Sequence, residues 1–355
     1  MFNAEYRFRG AWAAGCAAIA GIAVVGPCAG CSNDDDAGPP TTPIVINQRN
    51  AVKVASEALV TNANLGSTDM AGSPATGSAA TAMATALHAV HGAAGPAWQR
   101  RLRDTGPANA DPTTDACAVS GTVTTVPADT PAGATTVTFD QCVETAGTSM
   151  TGTLTYHSLI FHSSDTAFGL TATVDSNVTI TQGALSYFED GAYTLDLQLL
   201  EAPNAGLASE VFELRGDDLT YTITNAGAAF EKVALSGFDV RLEVDLSVAP
   251  EQTSSTVGYT VASSRLDGEI AVTTTVPLAQ ITDPAAPRRF PHAGRLLVVG
   301  ANNTRLQATV LGDESYAPPS GQAQIELQLD VGIGTFGAPI WTSWDELTAT
   351  AASSD

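Results

Sequence analysis

Most of this chain alternates apolar and polar residues with a period of two. Leu170, Ala172, Val174, Val178 and Ile180 interleave with Thr171, Thr173, Asp175, Asn177, Thr179 and Thr181. Phe238, Val240, Leu242, Val244, Leu246 and Val248 interleave with Asp239, Arg241, Glu243, Asp245 and Ser247. Ile325, Leu327, Leu329, Val331 and Ile333 interleave with Gln324, Glu326, Gln328 and Asp330. Successive side chains of a strand point to opposite faces, so each run predicts a half-buried antiparallel strand. Shorter runs at Tyr193–Leu199, Leu219–Thr224 and Leu306–Val310 repeat the pattern. Between Val257 and Val276 the apolar phase flips, which predicts a bulge or tight turn near Ser263–Arg265.

The stretch 112–350 is therefore expected to be one antiparallel β domain of roughly a dozen strands, several near ~40 Å long at 3.3 Å per residue. Its apolar faces must meet one another, as a sandwich or as a closed or flattened barrel. A transmembrane barrel is disfavoured, because aromatics are only 6% of the chain and its connections are long and polar. Residues 47–111 lack this pattern. Val52, Ala55 and Leu59 share one helical face, and Met83, Leu87 and Val90 another, so two Ala-rich helices are expected around a Gly/Ser/Thr loop. Their narrow faces suit a helical stalk and linker before the sheet. Residues 351–355 read as a disordered tail.

Charge narrows the function. Lys plus Arg total 15 against 37 Asp plus Glu, for a net charge of -22, which rules out non-specific affinity for nucleic acid or for anionic lipid head groups. Charged residues are only 15% and hydrophobic ones 44%, so this is no disordered acidic polymer. The start of the chain carries Arg7 and Arg9 and then an uncharged Ala-rich run, Ala11–Gly26, followed by CAGC, Cys28–Cys31. This resembles the lipobox of bacterial lipoproteins, though such motifs usually carry Leu where Cys28 stands. The resemblance implies a signal peptide over 1–30 and lipidation of the Cys31 thiol. An ordinary secretory signal cut elsewhere is the alternative; either way the chain is exported. Ser32–Pro43 is polar, acidic and Pro-rich, so 31–46 reads as the lipidated cysteine and a disordered tether. Ser32 after the lipidated residue resembles the pattern routed to the outer membrane, on its periplasmic face or at the cell surface.

With Cys16 and Cys28 in the signal and Cys31 capped, Cys117 and Cys142 remain. They bracket two Thr/Val-rich runs joined by PADTPAGA, and cysteines at the open end of such a hairpin sit opposite one another. A disulfide is expected; two buried thiols are the alternative.

The cysteine-bracketed hairpin, the GTLT strand Gly152–Thr155 and the C-terminal GRLLVVGANNTRLQATVLG, QIELQLD and WTSWDEL together resemble a β-rich group of exported bacterial lipoproteins of undefined function. In that group the stretch before the terminal Trp often looks like a Ca²⁺-binding DxDGDG turn. Here Asp330–Gly337 reads DVGIGTFG, and one carboxylate cannot supply the six to eight oxygens Ca²⁺ takes.

Candidate chemistry is sparse. There is no GxSxG elbow, and neither Lys53 nor Lys232 lies in a phosphate loop or an SxxK motif. His88 and His91 form HxxH without a third ligand, and His157 and His162 stand on opposite strand faces. No metal and no cofactor are expected. Trp341, Trp344, Asp345 and Glu346 form the one compact aromatic–acid cluster: a terminal strand burying one Trp, or a weak glycan-binding patch. The chain thus reads as a lipid-anchored envelope module that is structural or binding rather than an enzyme, joined to the membrane through its N-terminal lipid. Its protein or glycan partner is unassigned. The alternatives are a carrier of a lipid or other hydrophobic ligand, and an envelope hydrolase on a β-sandwich. Bulky inward residues (Leu170, Val174, Ile180, Phe238, Leu242, Leu246, Ile325 and Leu329) favour a packed core over a carrier cavity.

Overall fold

The alternation becomes a single sheet of 14 antiparallel strands, each paired with its neighbours in chain order. A computed structural model describes residues 38–66, 111–127, 133–145, 148–163, 167–202, 206–225, 228–282, 288 and 290–352. The strands are β1 (Thr113–Ala116), β2 (Ser120–Val126), β3 (Thr135–Thr145), β4 (Thr148–Ser163), β5 (Ala167–Gln182), β6 (Leu185–Ala202) and β7 (Gly206–Asn225). They continue as β8 (Ala228–Asp245), β9 (Glu251–Ser263), β10 (Gly268–Thr282), β11 (Ala293–Val299), β12 (Arg305–Val310), β13 (Ile325–Asp330) and β14 (Ile340–Thr342). Two helices flank the sheet in sequence, α1 (Ala51–Gly66) and α2 (Trp344–Ala352). The all-β antiparallel class stands. Within it the sheet is continuous and open, neither split into two layers of a sandwich nor closed into a barrel, since β1 and β14 end the strand order.

Register places the expected inward residues on one face. Tyr156, Val174 and Tyr193 align across β4, β5 and β6, and Val178, Glu189 and Tyr221 across β5, β6 and β7. Leu170, Val174, Ile180, Phe238, Leu242 and Ile325 are buried, and Leu329 is half-buried against them. The opposite face is Thr- and Asp-rich, with rows such as Thr114–Thr124–Thr138–Thr153–Asn177–Asp190 crossing β1 to β6. Register shifts interrupt β4–β5 at His157/Ile160, β6–β7 at Ala192/Thr194 and β8–β9 at Ser236/Asp239. Such bulges bend strands and raise their twist, which lets long strands curl about the apolar face. At Gly191 (φ +146°) a Cβ would lie 2.5 Å from Asp218 O, so only glycine permits this close approach of β6 to β7.

Several boundaries differ from the sequence expectation. The phase flip near Ser263–Arg265 is a tight turn, with Ser263 paired to Gly268 across the β9–β10 hairpin. Thr113–Ala116, at the start of the expected β domain, pairs with β2 as the first edge strand. The strand expected through Ile333 stops at Asp330, and Val331 and Ile333 stand exposed in a loop.

The helical segment is not a stalk where it is described. Ala51, Val54, Ala55, Ala58 and Leu59 are fully buried, and α1 packs on α2 and on the β9–β13 part of the sheet. Alanine faces are narrow but let a helix approach closely, and here that proximity outweighs the small area of each side chain. Ser56 Oγ donates to Leu347 O at 2.6 Å, joining the two helices. The second expected helix, with Met83, Leu87 and Val90, lies outside the described residues. The tether also ends earlier than expected. Ile44 N donates to Glu269 O at 3.1 Å, Ala301 N donates to Ile44 O at 2.7 Å, and Ile46 is fully buried. Residues 42–46 thus form a strap between β10 and the β11–β12 connection. In the tail, Ala351 and Ala352 still belong to α2.

Cys117 and Cys142 form a disulfide with Cα atoms 5.6 Å apart, across the open end of the β2–β3 hairpin. It ties the segment between β1 and β2 to β3, beside the first edge strand. The bond closes a loop with a sequence separation of 25. Replacing both cysteines, Cys117→Ser with Cys142→Ser, is expected to lower unfolding free energy by roughly 3 kcal/mol. Urea denaturation of oxidised wild type beside the double variant measures it; equal midpoints would show that the closure does not stabilise this edge.

Candidate functional site

Polar groups on the buried face are the first place to look for chemistry, because burying them costs free energy unless something pairs with them. Glu189 lies on the inward parity of β6, in step with Tyr187, Tyr193 and Leu195, and is fully buried. Directly across the ladder, Tyr221 of β7 donates its hydroxyl to Glu189 Oε2 at 3.0 Å. Tyr156, Tyr187 and Tyr193 share this face, each at 2% exposure or less. Among the described residues, Glu189 Oε1 and Tyr187 Oη have no hydrogen-bond partner. Burial pushes the Glu189 carboxyl up to about 7, with the Ser176 and Tyr221 hydroxyls offsetting part of the rise. The phenols of Tyr193 and Tyr221 move upward, through burial first and then the Glu189 charge. An acid that titrates near neutrality among phenols is a proton-binding element. Enclosed as it is, it offers no route for a substrate.

A second buried cluster joins the helices to the sheet. Arg265, in the β9–β10 turn, sets Nη1 3.6 Å from Glu57 Oε2 of α1 and donates Nη2 to Thr350 O of α2. Ser263 Oγ donates to Glu231 Oε1 at 2.6 Å and accepts from Arg265 N at 3.1 Å. Burial raises the pKa of both carboxyls; the Glu57 charge raises Glu231 further, and Arg265 and Lys53 pull both down. One guanidinium side chain therefore connects the first helix, a sheet turn and the last helix. Removing one partner of such a buried set typically costs about 3–5 kcal/mol, so its role is positional.

The sequence signal for both clusters is phase. Glu189 and Glu231 occupy apolar parity, Glu189 between Tyr187 and Gly191 and Glu231 two residues before Val233. A carboxylate in step with an inward-facing row predicts a buried acid needing a partner.

The residues singled out from sequence scatter over the fold. Trp344 is 1% exposed, stacks on Phe290 with ring centroids 4.5 Å apart, and donates Nε1–H to Gly312 O at 2.9 Å. Trp341 is half-buried on β14 opposite Glu326. The indole of Trp344 thus belongs to the core, where it cannot line a glycan surface beside Trp341. Glu346 accepts from Thr342 Oγ1 at 2.8 Å. His157 Nε2 pairs with Asp175 Oδ2 at 2.7 Å on the polar face. Asp239 and Glu243 are engaged by Arg215 and Arg241, which also share Glu213. Cys31, His88 and His91 lie outside the described residues.

Asp330 has a definite job. Its Oδ1 accepts from the backbone N–H groups of Gly332, Ile333 and Gly334 at 2.9–3.0 Å, and its Oδ2 accepts from Arg305 Nε at 3.0 Å. The Arg305 guanidinium and these amides hold the carboxyl below its usual range. The cation paired with Asp330 is thus internal, from Arg305 25 residues away in sequence. Among the described residues no group of three or more His, Cys, Asp or Glu side chains is arranged to hold a metal ion.

The polar face carries a shallow groove of about 640 Å³ over β4–β7, lined by hydroxyl, amide, carboxylate and guanidinium groups that include Thr153, Thr173, Asn177, Asp190 and Arg215. Such groups suit hydrogen bonding to a hydrated partner.

The buried acid yields a test. Glu189 holds its proton to about pH 7 when folded and to about 4.5 when unfolded. The unfolded state therefore binds fewer protons between these values, and stability falls as pH rises from 4.5 through 7. Glu189→Gln mimics the protonated acid. It is expected to match wild type at pH 4.5 and to exceed it by about 3 kcal/mol at pH 8, read from denaturant midpoints across that range. A constant difference at every pH would contradict the assignment.

No protein family, no curated protein and no solved structure matches this chain.

Proposed function

We infer that the chain is an exported module of a bacterial envelope, held to the outer membrane by lipid on Cys31 and working as a structural or binding element without catalysis. The observation that carries this reading is the division of labour between the two faces of the sheet. The inner face is filled: Phe139, Leu154, Tyr156, Ile180, Tyr187, Tyr193 and Tyr221 are 2% exposed or less. Those side chains occupy the volume that a carrier of lipid would keep open, and empty volume costs about 24 cal/mol per Å³. Asp239 and Glu243 are tied to arginines on the outer face, and Glu189 and Glu231 are enclosed inside with hydroxyl partners. What remains to meet a partner is a broad, hydroxyl- and carboxylate-rich outer surface with its groove over β4–β7.

Export is supported by the Cys117–Cys142 disulfide, since such bonds persist in oxidising compartments. The anchor is supported by the CAGC sequence at the end of an uncharged Ala-rich run. Two or three acyl chains hold a protein stably at a bilayer, where one does not. The test is metabolic labelling with a fatty acid in a bacterium that processes lipoproteins. Wild type is expected to take up label and to sediment with membranes, and Cys31→Ala to do neither. Label retained by Cys31→Ala would put the anchor elsewhere.

A further inference from the structure

Three uncharged stretches meet at one end of the sheet. Residues 37–48, 296–304 and 331–344 contain no Asp, Glu, Lys or Arg, in a chain with 37 acidic residues. The strap 42–46 is bonded to the turn between β11 and β12: Ala301 N donates to Ile44 O, and Ile46 N donates to Thr304 Oγ1 at 3.0 Å. The loop after β13 presses on the same turn. At Gly332 (φ +95°) a Cβ would stand 2.6 Å from Asn302 O, a contact and a backbone conformation that glycine alone tolerates. From this junction aliphatic side chains point outward. Ile333 is 75% exposed and Val331 58%, with Val45 and Val299 also exposed. The Asp330 carboxylate holds the loop through three backbone amides, so the aliphatic pair stands on a fixed support.

Chain connectivity says what this end meets. Thr42 is fixed by Glu269 N donating to Thr42 O at 3.0 Å, eleven residues after Cys31. That length spans at most about 40 Å even fully extended. Strand β10, which starts beside Thr42, covers roughly 50 Å over its 15 residues if straight. A lipid on Cys31 therefore draws the strap end toward the bilayer, while the opposite end of the sheet stands away from it. The opposite end carries charge in its connections, including Arg288, Asp313 and Glu314. An acidic protein facing anionic lipid is repelled, and the three uncharged stretches keep that repulsion to the neighbouring β9–β10 turn, where Asp267 is exposed.

Building on the lipid-anchor reading, we propose that the loop Val331–Gly334, with Val45 and Val299, is a membrane-contact tip that seats its aliphatic side chains in the lipid surface beside the anchor. The tip fixes which end of the sheet faces the membrane and leaves the polar face free.

The experiment uses the full chain, processed in cells and reconstituted into phosphatidylethanolamine–phosphatidylglycerol vesicles. With Cys31 acylated and Cys117 bonded to Cys142, Ile333→Cys introduces a thiol that takes an environment-sensitive fluorophore. Ser320→Cys, exposed in the β12–β13 connection at the opposite end, is the control. The expected result is blue-shifted emission at 333, quenched at least about two-fold by spin-labelled lipid, with solvent-like emission at 320. Solvent-like emission at 333 on protein that floats with the vesicles overturns the tip and leaves the anchor intact. A blue shift at 333 already present without lipid assigns the loop to a protein contact and also overturns it. Protein that neither floats nor carries acyl chains on Cys31 removes the anchor, and the tip with it.

Discussion

A sheet whose strands pair only with their chain neighbours has one apolar face to cover and two edges to end, and the rest of this structure follows from those two demands. The apolar face is met by side-chain volume: tyrosines, leucines and valines from β3 to β13 form one contiguous core. Bulges at mid-sheet let strands of up to 20 residues bend about that core. The edges are met by brevity. β1 has four residues and β14 three, so neither presents a long ladder of unpaired amides to another chain. At the first edge the disulfide adds a covalent tie, and at the last α2 follows β14 after one residue.

The buried charges follow the same logic. A helix laid on a sheet has no ladder to fix its position, so specific polar contacts do that instead. Arg265 reaches both Glu57 and Thr350, and Ser56 reaches Leu347. Buried ionic sets contribute little net stability, yet an arrangement that leaves one member unpaired is strongly disfavoured. Glu189 and Tyr221 play the corresponding part inside the sheet. A one-residue slip of β6 would carry Glu189 to the solvent face and Asp190 inward, which makes this pair sensitive to register.

Much of this was legible in the alternation. Parity in β5 and β8 assigned the inward side chains, and the phase flip near Ser263 marked a hairpin turn. What sequence did not convey were the long-range partners. The Ala-rich face of α1 looked too narrow to pack, because its value lies in how closely it approaches α2 and β9–β13. Asp330 reads as a lone carboxylate, since the guanidinium that satisfies it comes from the start of β12. One buried Trp is the first reading of the Trp341 and Trp344 pair, but that Phe290 and Gly312 enclose Trp344 is not in the pattern. Each depends on a residue tens of positions away, and a period-two pattern carries no information at that range.

The placement of α1 sets an order of events for folding. A meander has low contact order over most of its length, so each strand can settle on its predecessor as it follows in the chain. α1 cannot. Its partner Leu347 follows Ser56 by 291 residues, and the strand turns that receive the strap come almost as late. A segment made early is therefore among the last to dock, and closure waits on the final helix. A chain truncated before Trp344 would keep most of its ladder and still leave α1 unseated, with the buried face of that helix open to solvent.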